Sequence, residues 1–515
     1  MKMSCVFAPT VKEAPKGVAD QRMLRLIRGG FVSRLAAGQE SLNLLPMGVL
    51  LFERTSCKVE EVLRAMAFQR VDFPDFCSHA KEVASGYVKS YRHLPLTFYQ
   101  RERHSYRILG FAESSSQGEE LIRGTCREFS RRLSNVGLSV REKASVSDGL
   151  DTLDLVVLTD KTSPYGERGY YCPKCAWCGD ENSPVKGGVK PQDKEPRPLE
   201  VVDTPGADTI AELCRQLGVP PENTIKTMFY VAERQDGEKE VFVVLVRGDH
   251  KISEEKVKKV VGCRNVRFAD PLEIKETVGD LAGYLGPVGL PERLRVIADR
   301  HVEGMVNAVV GANQPERHLM NACWGRDFSA KEVKDLIVYE KEIGCPVCSS
   351  ALEAEFLSKV ASFSMIATSS LGDRKISYQG RDGKVEEAHL WEGKIYMEPL
   401  VLSLVGPDGP LPAGVAPFDV AVIVPSVRNK EALELGEGLA ESLEEKGFKV
   451  LLDDRDERAG VKFSDAELFG SPVTIVCGKG SADGVVELSY PDGAKEEVQV
   501  ENLVEKVEGI FAGNR

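Results

Sequence analysis

Apolar side chains recur at helical and strand-like periods along most of the chain. Leu24 to Leu35, Val59 to Phe68 and Leu121 to Leu133 space them three and four apart, which predicts amphipathic helices, the last rich in arginine. Thr152 to Leu158 (Thr-Leu-Asp-Leu-Val-Val-Leu) predicts a short strand. Residues 1–160 therefore read as mixed helix and strand. Over 161–200 Gly, Pro, Lys and Asp dominate, which predicts a cysteine-bearing loop and a linker. A globular pattern resumes over 201–340. Thr209 to Leu217 reads as a helix capped by Asp208. Thr227 to Ala232 and Val241 to Val246 read as strands flanking a polar Gln-Asp-Gly-Glu turn, and Ser253 to Val261 as a basic helix. After the Gly/Pro-rich stretch Gly406 to Gly414, strand and helix alternate: Asp419 to Val424, Glu431 to Lys446, Lys449 to Leu452, Val473 to Val476. That order predicts a small α/β domain with a mostly parallel sheet.

Length changes this picture by forcing it into several domains. A chain of 515 residues is too long for one core and predicts three or four. Hydrophobic residues make up 42% and charged residues 28%, as in soluble globular domains. No apolar run approaches the roughly 18 residues of a membrane span, and Met1 to Thr10 lacks the apolar core of a signal peptide. The expected location is the cytoplasm. A net charge of −12 argues against a basic nucleic-acid coat protein. It leaves room for RNA binding through a local cluster such as Lys251, Lys256, Lys258, Lys259, Arg264 and Arg267, which reads equally as a solvated helix face.

Among thirteen cysteines, two tight pairs stand out: Cys172-x-x-Cys175 and Cys345-x-x-Cys348, with Cys178 as a spare. Four thiolates in two such knuckles suit a tetrahedral structural Zn²⁺. The long gap between the knuckles works only if an inserted domain returns the chain to its start, and 201–340 fits such an insertion. The alternative is unrelated thiols. Neither pair has the strand–helix setting of a redox motif.

Four stretches carry a resemblance. They are Thr204-Pro-Gly206 with Leu217-Gly-Val-Pro-Pro-Glu-Asn-Thr-Ile-Lys226, then Leu245-Val-Arg-Gly-Asp-His250, then Gly283-Tyr-Leu-Gly286-Pro287-Val-Gly289, and finally Gly311-Ala-Asn313 with His318 and Trp324-Gly-Arg326-Asp327. In order and spacing they resemble the inserted editing domain of bacterial prolyl-tRNA synthetases, part of a wider family of aminoacyl-tRNA deacylases. The resemblance implies hydrolysis of alanine wrongly attached to proline tRNA. It places Lys226, Gly283, Gly286, Pro287 and His318 at or near the editing site. Ester hydrolysis needs an oriented water and help for the oxyanion, which backbone N–H groups of a Gly-rich loop can give. Lys226 would add a cation near the ester or the terminal phosphate.

A second stretch, Leu451-Leu-Asp-Asp-Arg455-Asp-Glu-Arg458-Ala-Gly-Val-Lys462-Phe-Ser-Asp465, resembles the anticodon-binding domain shared by several class II synthetases. Arg455, Arg458 and Lys462 would meet phosphates or splayed bases, unless they form a self-paired charged loop. The N-terminal third is similar to the synthetase core at Arg34-Leu-Ala-Ala-Gly38, Leu45-Pro46-Met-Gly48 and Tyr91-Arg-His-Leu-Pro95-Leu-Thr-Phe-Tyr99-Gln100. It then departs from the family. Gln100 is followed by Arg-Glu-Arg-His-Ser-Tyr-Arg, with Arg101, Arg103 and Arg107, in place of a long ATP-holding loop. Cys77-Ser-His-Ala80 stands near the place of a proline-gripping Thr-x-Glu, and Lys394-Ile-Tyr-Met-Glu-Pro-Leu-Val-Leu-Ser403 occupies the place of the Gly-x-Gly-x-x-Arg turn.

The expected architecture is multidomain α/β and α+β. Residues 1–200 form a class II synthetase-like antiparallel core, 201–340 a deacylase-like insertion, 341–415 the rest of the core with the second knuckle, and 416–515 the anticodon-binding α/β domain. The expected cofactor is structural zinc, with the ATP and Mg²⁺ site lost. The expected partner is tRNA, specifically proline tRNA, and either a second copy or a functional synthetase. Three readings stay open: a deacylase acting in trans on misacylated tRNA, a non-catalytic tRNA-binding or regulatory paralogue, and a divergent proline–tRNA ligase.

Overall fold

Strands rich in aromatic and β-branched residues, drawn from both halves of the chain, build a mainly antiparallel sheet. The computed structural model describes residues 1–512 except 14, 16, 34–41, 148–149, 186–194, 234–238, 264, 280–284 and 367–374. Two compact units emerge: one of residues 1–142, 153–168 and 355–515, the other of 143–152 and 169–354.

In the first unit, Gln69–Arg70, Leu96–Arg101, Ser105–Ala112 and His389–Tyr396 are neighbouring strands, and Glu353–Met365 and Leu150–Thr159 follow in order. Leu96–Arg101 and Ser105–Ala112 run antiparallel, with Arg101 opposite Tyr106. Helices Pro46–Ala65 and Ser115–Asn135 close one face and bury Leu51, Val59, Leu63, Ile122 and Phe129 with Tyr99, Tyr106 and Trp391. The helix predicted over Leu24 to Leu35 is shorter, Gln21–Arg28, starting from Asp20, whose carboxylate accepts from the Arg22 and Met23 amides. It stops at Gly29, and Gly30 takes a φ of +67° with the Pro9 backbone packed against it. Its expected end, together with Arg34 to Gly38, lies outside the described residues.

The C-terminal domain of this unit orders its strands Val450–Asp453, Val420–Ile423, Val473–Val476, Val485–Ser489, Lys495–Gln499. The first three are parallel, and the last two run antiparallel. The mostly parallel sheet expected from the alternation is thus only its first three strands. Lys495–Gln499 (Lys-Glu-Glu-Val-Gln) escaped the apolar pattern because it is an edge strand carrying charge outward. The other edge is extended by the N-terminus: the Met1 ammonium donates to the Val450 carbonyl and the Leu452 amide to the Met1 carbonyl.

In the second unit, Asn265–Phe268, Ile225–Glu233, Lys239–Arg247, Arg295–Asp299 and Glu332–Lys334 form a five-stranded sheet. Ile225–Glu233 and Lys239–Arg247 are the predicted hairpin, while its Gln-Asp-Gly-Glu turn lies outside the described residues. Ala308–Gly311, Arg317–Ala322 and Glu200–Asp203 form a smaller antiparallel sheet. Helix Ile210–Leu217 is capped by Thr209, not Asp208: the Thr209 hydroxyl accepts from the Glu212 amide, and the Glu212 carboxylate accepts from the Thr209 amide. Both cysteine knuckles, read above as parts of the core, fall inside this unit, where Cys172 and Cys345 pack with Val246, Ile337 and Tyr339.

One buried cation ties helix Gln21–Arg28 to the C-terminal domain. Arg25 is 4% exposed. It donates to the carbonyls of Gly406, Gly409, Glu467 and Leu468 at 2.6–3.2 Å. Burial lowers its pKa, against the pull of Asp408. Arg25→Met would strand these carbonyls and is expected to cost about 2–3 kcal/mol. Urea unfolding should show it, together with faster proteolytic cutting in Gly406 to Gly414.

Candidate active site in the inserted domain

The Gly-Pro loop and the strands around it are bound together by one asparagine. Asn313, at a φ of +55°, accepts the Gly286 amide on Oδ1 at 2.7 Å and donates from Nδ2 to the Val288 carbonyl at 2.8 Å. Gly286 and Pro287 are buried. A Cβ at Gly286 would lie 1.8 Å from the Gly311 carbonyl oxygen, so only glycine allows this approach. The Gly286 N–H is thereby committed to Asn313, and Pro287 has none, so neither serves as an oxyanion donor in this arrangement. Gly283 lies outside the described residues.

His318 stands opposite Gly311 across the small sheet. It is 7% exposed, with Nδ1 2.6 Å from Oγ1 of the fully buried Thr204. Burial lowers its pKa, which favours the neutral ring at pH 7. Thr204, Asn313 and Gly311 thus join the site. They stood in the quoted motifs, but only their contacts show what they do.

Lys226 is half-buried and donates from Nζ to the His250 carbonyl at 2.5 Å. Burial lowers its pKa, Asp249 opposes that, and Lys251 adds to it. In the hairpin it pairs with Val246, whereas its neighbour Ile225 packs in the cluster joined by Leu285 and Val288. Successive strand residues face opposite sides. The structure therefore gathers Gly286, Pro287, Asn313, Gly311 and His318, and sets Lys226 on the other face, anchored to the loop after Lys239–Arg247.

The basic cluster near Lys226 is self-neutralised. Lys251 pairs with Glu340, Lys258 with Glu255, Lys259 with Asp151 and Arg267 with Glu273. Lys256 is 2% exposed and bound to Asp335, so it cannot meet phosphate. Arg264 lies outside the described residues.

The four knuckle cysteines meet. Cys172 and Cys348 sulfurs are 3.5 Å apart, as are those of Cys175 and Cys345, and all four lie within 4.8 Å of one another. Zn–S bonds of about 2.3 Å put tetrahedral sulfurs roughly 3.8 Å apart, so the cluster could hold a metal ion with small side-chain rotations. Cys178 is not part of it.

In the C-terminal domain, Arg455 is held by Asp453 at 2.6 Å and Asp465 at 2.9 Å, while Arg458 is exposed just before helix Ala459–Phe469. Lys462 is a correction. Its side chain has no exposed surface and donates to the Val424 carbonyl at 2.7 Å. It supports the Arg455 loop from beneath and offers no charge to RNA.

Comparison with known proteins bears on these placements. Residues 204–328 match the aminoacyl-tRNA editing domain family and residues 419–510 the anticodon binding domain family. Proline--tRNA ligase of Bacillus mycoides (strain KBAB4) is 29% identical over 577 residues, an alignment spanning 99% of this chain and 100% of the ligase. The ligase of Thermotoga maritima is 28% identical over 553 residues, spanning 95% of this chain and 93% of its own. The ligase of Listeria innocua is 28% identical over 578 residues, spanning 99% and 100%. Over nearly its whole length the chain is thus similar to bacterial-type prolyl-tRNA synthetases, with their editing and anticodon-binding domains.

In the synthetase-like core the strands Leu96–Arg101 and Ser105–Ala112 are joined by a tight turn, closed by the Glu102 amide on the Ser105 carbonyl at 2.8 Å. Arg101 is taken by Glu53 at 2.8 Å and Arg107 donates to Cys77 Sγ at 2.8 Å, while Arg103 is exposed. A cavity of about 470 Å³ beside this turn is lined by His104, Tyr165, Lys359, Lys394, Tyr396 and Glu398. Glu398, 7% exposed, accepts the Leu42 amide at 2.7 Å and the Tyr165 hydroxyl at 3.0 Å.

The Asn313 clamp makes the Gly286 loop sensitive to one methyl. Gly286→Ala is expected to cost about 1–3 kcal/mol, because backbone must give way. Gly289→Ala meets no atom and is strained only by its φ of +77°, so it should cost no more than about 1–2 kcal/mol. Thermal melting of the two variants tests this ranking.

Proposed function

We propose that this protein binds tRNA and hydrolyses misacylated proline tRNA in trans, with alanyl-tRNA(Pro) as substrate, and that it has lost proline activation. The observation that carries the reading is the tight turn at 102–105. Adenylate formation has to neutralise a triphosphate and hold the carboxylate in line. The turn leaves no loop to do this, and Arg101 and Arg107 are engaged elsewhere.

Glu398 and Tyr396 support the same reading. Both belong to the stretch from Lys394 to Ser403, which occupies the place of the family's Gly-x-Gly-x-x-Arg turn, and both line the cavity. A buried carboxylate there repels phosphate. The alignments run over 577 and 578 residues against a chain of 515, so dozens of positions in those ligases have no counterpart here.

The editing half, by contrast, keeps its parts. In the proposed reaction water attacks the ester carbonyl carbon, the alkoxide of the terminal ribose leaves with a proton, and free alanine and tRNA result. The buried Gly286 loop, Pro287 and His318 shape a pocket that admits alanine and excludes the larger proline ring. Lys226 supplies positive charge to the tRNA end. Arg458 and the Asp-held Arg455 are the proposed contacts to the anticodon arm. Purified protein is expected to deacylate alanyl-tRNA(Pro), with Lys226→Ala slowing hydrolysis at subsaturating tRNA about tenfold, in the range of losing one charged contact to the tRNA end. A rate equal to uncatalysed hydrolysis in the unaltered protein would leave tRNA binding without catalysis.

The Cys172, Cys175, Cys345 and Cys348 cluster is proposed to hold a structural zinc ion that fastens the ends of the insertion. Removing the metal with a strong chelator, or Cys345→Ser, should lower the melting temperature of this unit by several degrees, read by circular dichroism.

A further inference from the structure

A second set of donors stands near Lys226, at the ends of two neighbouring strands. His250 follows Lys239–Arg247. Asp299 ends the adjacent parallel strand Arg295–Asp299, and His301 lies two residues on. One donor atom from each lies within 4.8 Å of the others. Asp299 is wholly buried, and His301 is its only ion-pair partner among the described residues. Its Oδ1 lies 2.8 Å from His301 Nδ1 and accepts the His301 amide at 2.9 Å, while Oδ2 accepts the Leu336 amide at 2.9 Å. The His250 ring stands edge-on to that of His301, centroids 4.8 Å apart. His250 Nδ1 is buried and has no hydrogen-bond partner among the described residues. An orphaned buried ring nitrogen is costly and asks what it is for.

We propose that His250, Asp299 and His301 form a binding site for a divalent transition-metal ion of the zinc class, separate from the cysteine cluster. Two imidazoles and one carboxylate are the donors that zinc, cobalt and nickel accept in common, whereas calcium and magnesium prefer oxygen alone. Bonds of about 2.0–2.2 Å place tetrahedral donors a little over 3 Å apart, so side-chain rotation alone closes the present spacing. Three protein ligands leave a fourth position for water.

Arg247 Nη2 now donates to His250 Nε2 at 2.8 Å. With a metal on Nδ1, Nε2 carries the ring proton. Arg247 keeps its bonds to Asp249 at 2.6 and 2.8 Å, and Asp249 Oδ2, 3.7 Å from Nε2, is placed to accept that proton's hydrogen bond. Such an outer carboxylate is the usual support of a ligating histidine. The site stands whether or not the domain deacylates tRNA.

The test is metal content and the cobalt spectrum of the full chain. After dialysis against metal-free buffer and reloading with Zn²⁺ or Co²⁺, His301→Ala is expected to bind one equivalent less than the unaltered protein. Its sulfur-to-cobalt charge-transfer band, which reports the cysteine cluster, should be unchanged. A Cys175→Ser/Cys348→Ser variant should lose that band and still bind one equivalent, and adding His250→Ala should remove it. Unchanged stoichiometry in His301→Ala, with the charge-transfer band intact, would overturn the proposal. So would a folded double-serine variant that binds no metal. If the double-serine variant fails to fold, the His301→Ala comparison decides alone.

Discussion

An inserted domain has to return the chain to the point where it left, and here four sulfurs mark that return. Cys172 and Cys175 precede the insertion, Cys345 and Cys348 follow it, and their side chains meet within 4.8 Å. Around them Tyr339 lies tilted against Trp177 and Tyr170, and Cys172, Val246 and Ile337 share one apolar cluster. With the ends brought together, the hairpin Ile225–Glu233 and Lys239–Arg247 can present its far ends to loops from distant parts of the sequence. The Gly286 loop, the Gly311 strand end and Thr204 come together on one side, and Lys226, His250, Asp299 and His301 on the other.

That division bears on how the domain works. Editing by resemblance points to a single constellation of Lys226, the glycine loop and His318. The loop and the histidine are held in place by Asn313, Gly311 and Thr204. Lys226 belongs to a more polar neighbourhood of two histidines, two aspartates and Arg247. The two groups of residues thus stand on opposite faces of the hairpin Ile225–Glu233 and Lys239–Arg247.

Much of this was readable in the sequence, and the misses have physical causes. The hairpin, helix Glu254–Val261 and the first α/β crossover follow apolar periodicity, because their buried faces are continuous. The two knuckles were legible because their chemistry is tied to a fixed local spacing. Lys462 was misjudged because a lysine beside arginines in a charged loop gives no local sign of burial, and only the Val424 carbonyl beneath it explains its position. The basic run around Lys251 was ambiguous for the same reason, since its carboxylate partners Glu340, Asp335 and Asp151 are distant in sequence. His250, Asp299 and His301 escaped notice because parallel strand pairing, which sequence does not show, is what brings them together.

The core is held together by packing that is independent of any bound nucleotide. Its sheet and helices pack through Tyr99, Tyr106, Trp391 and Leu63, none of which needs ATP to stay buried. The short turn at 102–105 contributes His104 and Ser105 to the cavity lining, and the buried Glu398 faces them there. The most direct measurement is proline-dependent ATP–pyrophosphate exchange by the purified protein, with a member of the family known to be active as positive control. The account predicts no exchange above background at saturating proline and ATP. Exchange at a rate comparable to the control would contradict it and mean that the core activates proline by another arrangement of residues.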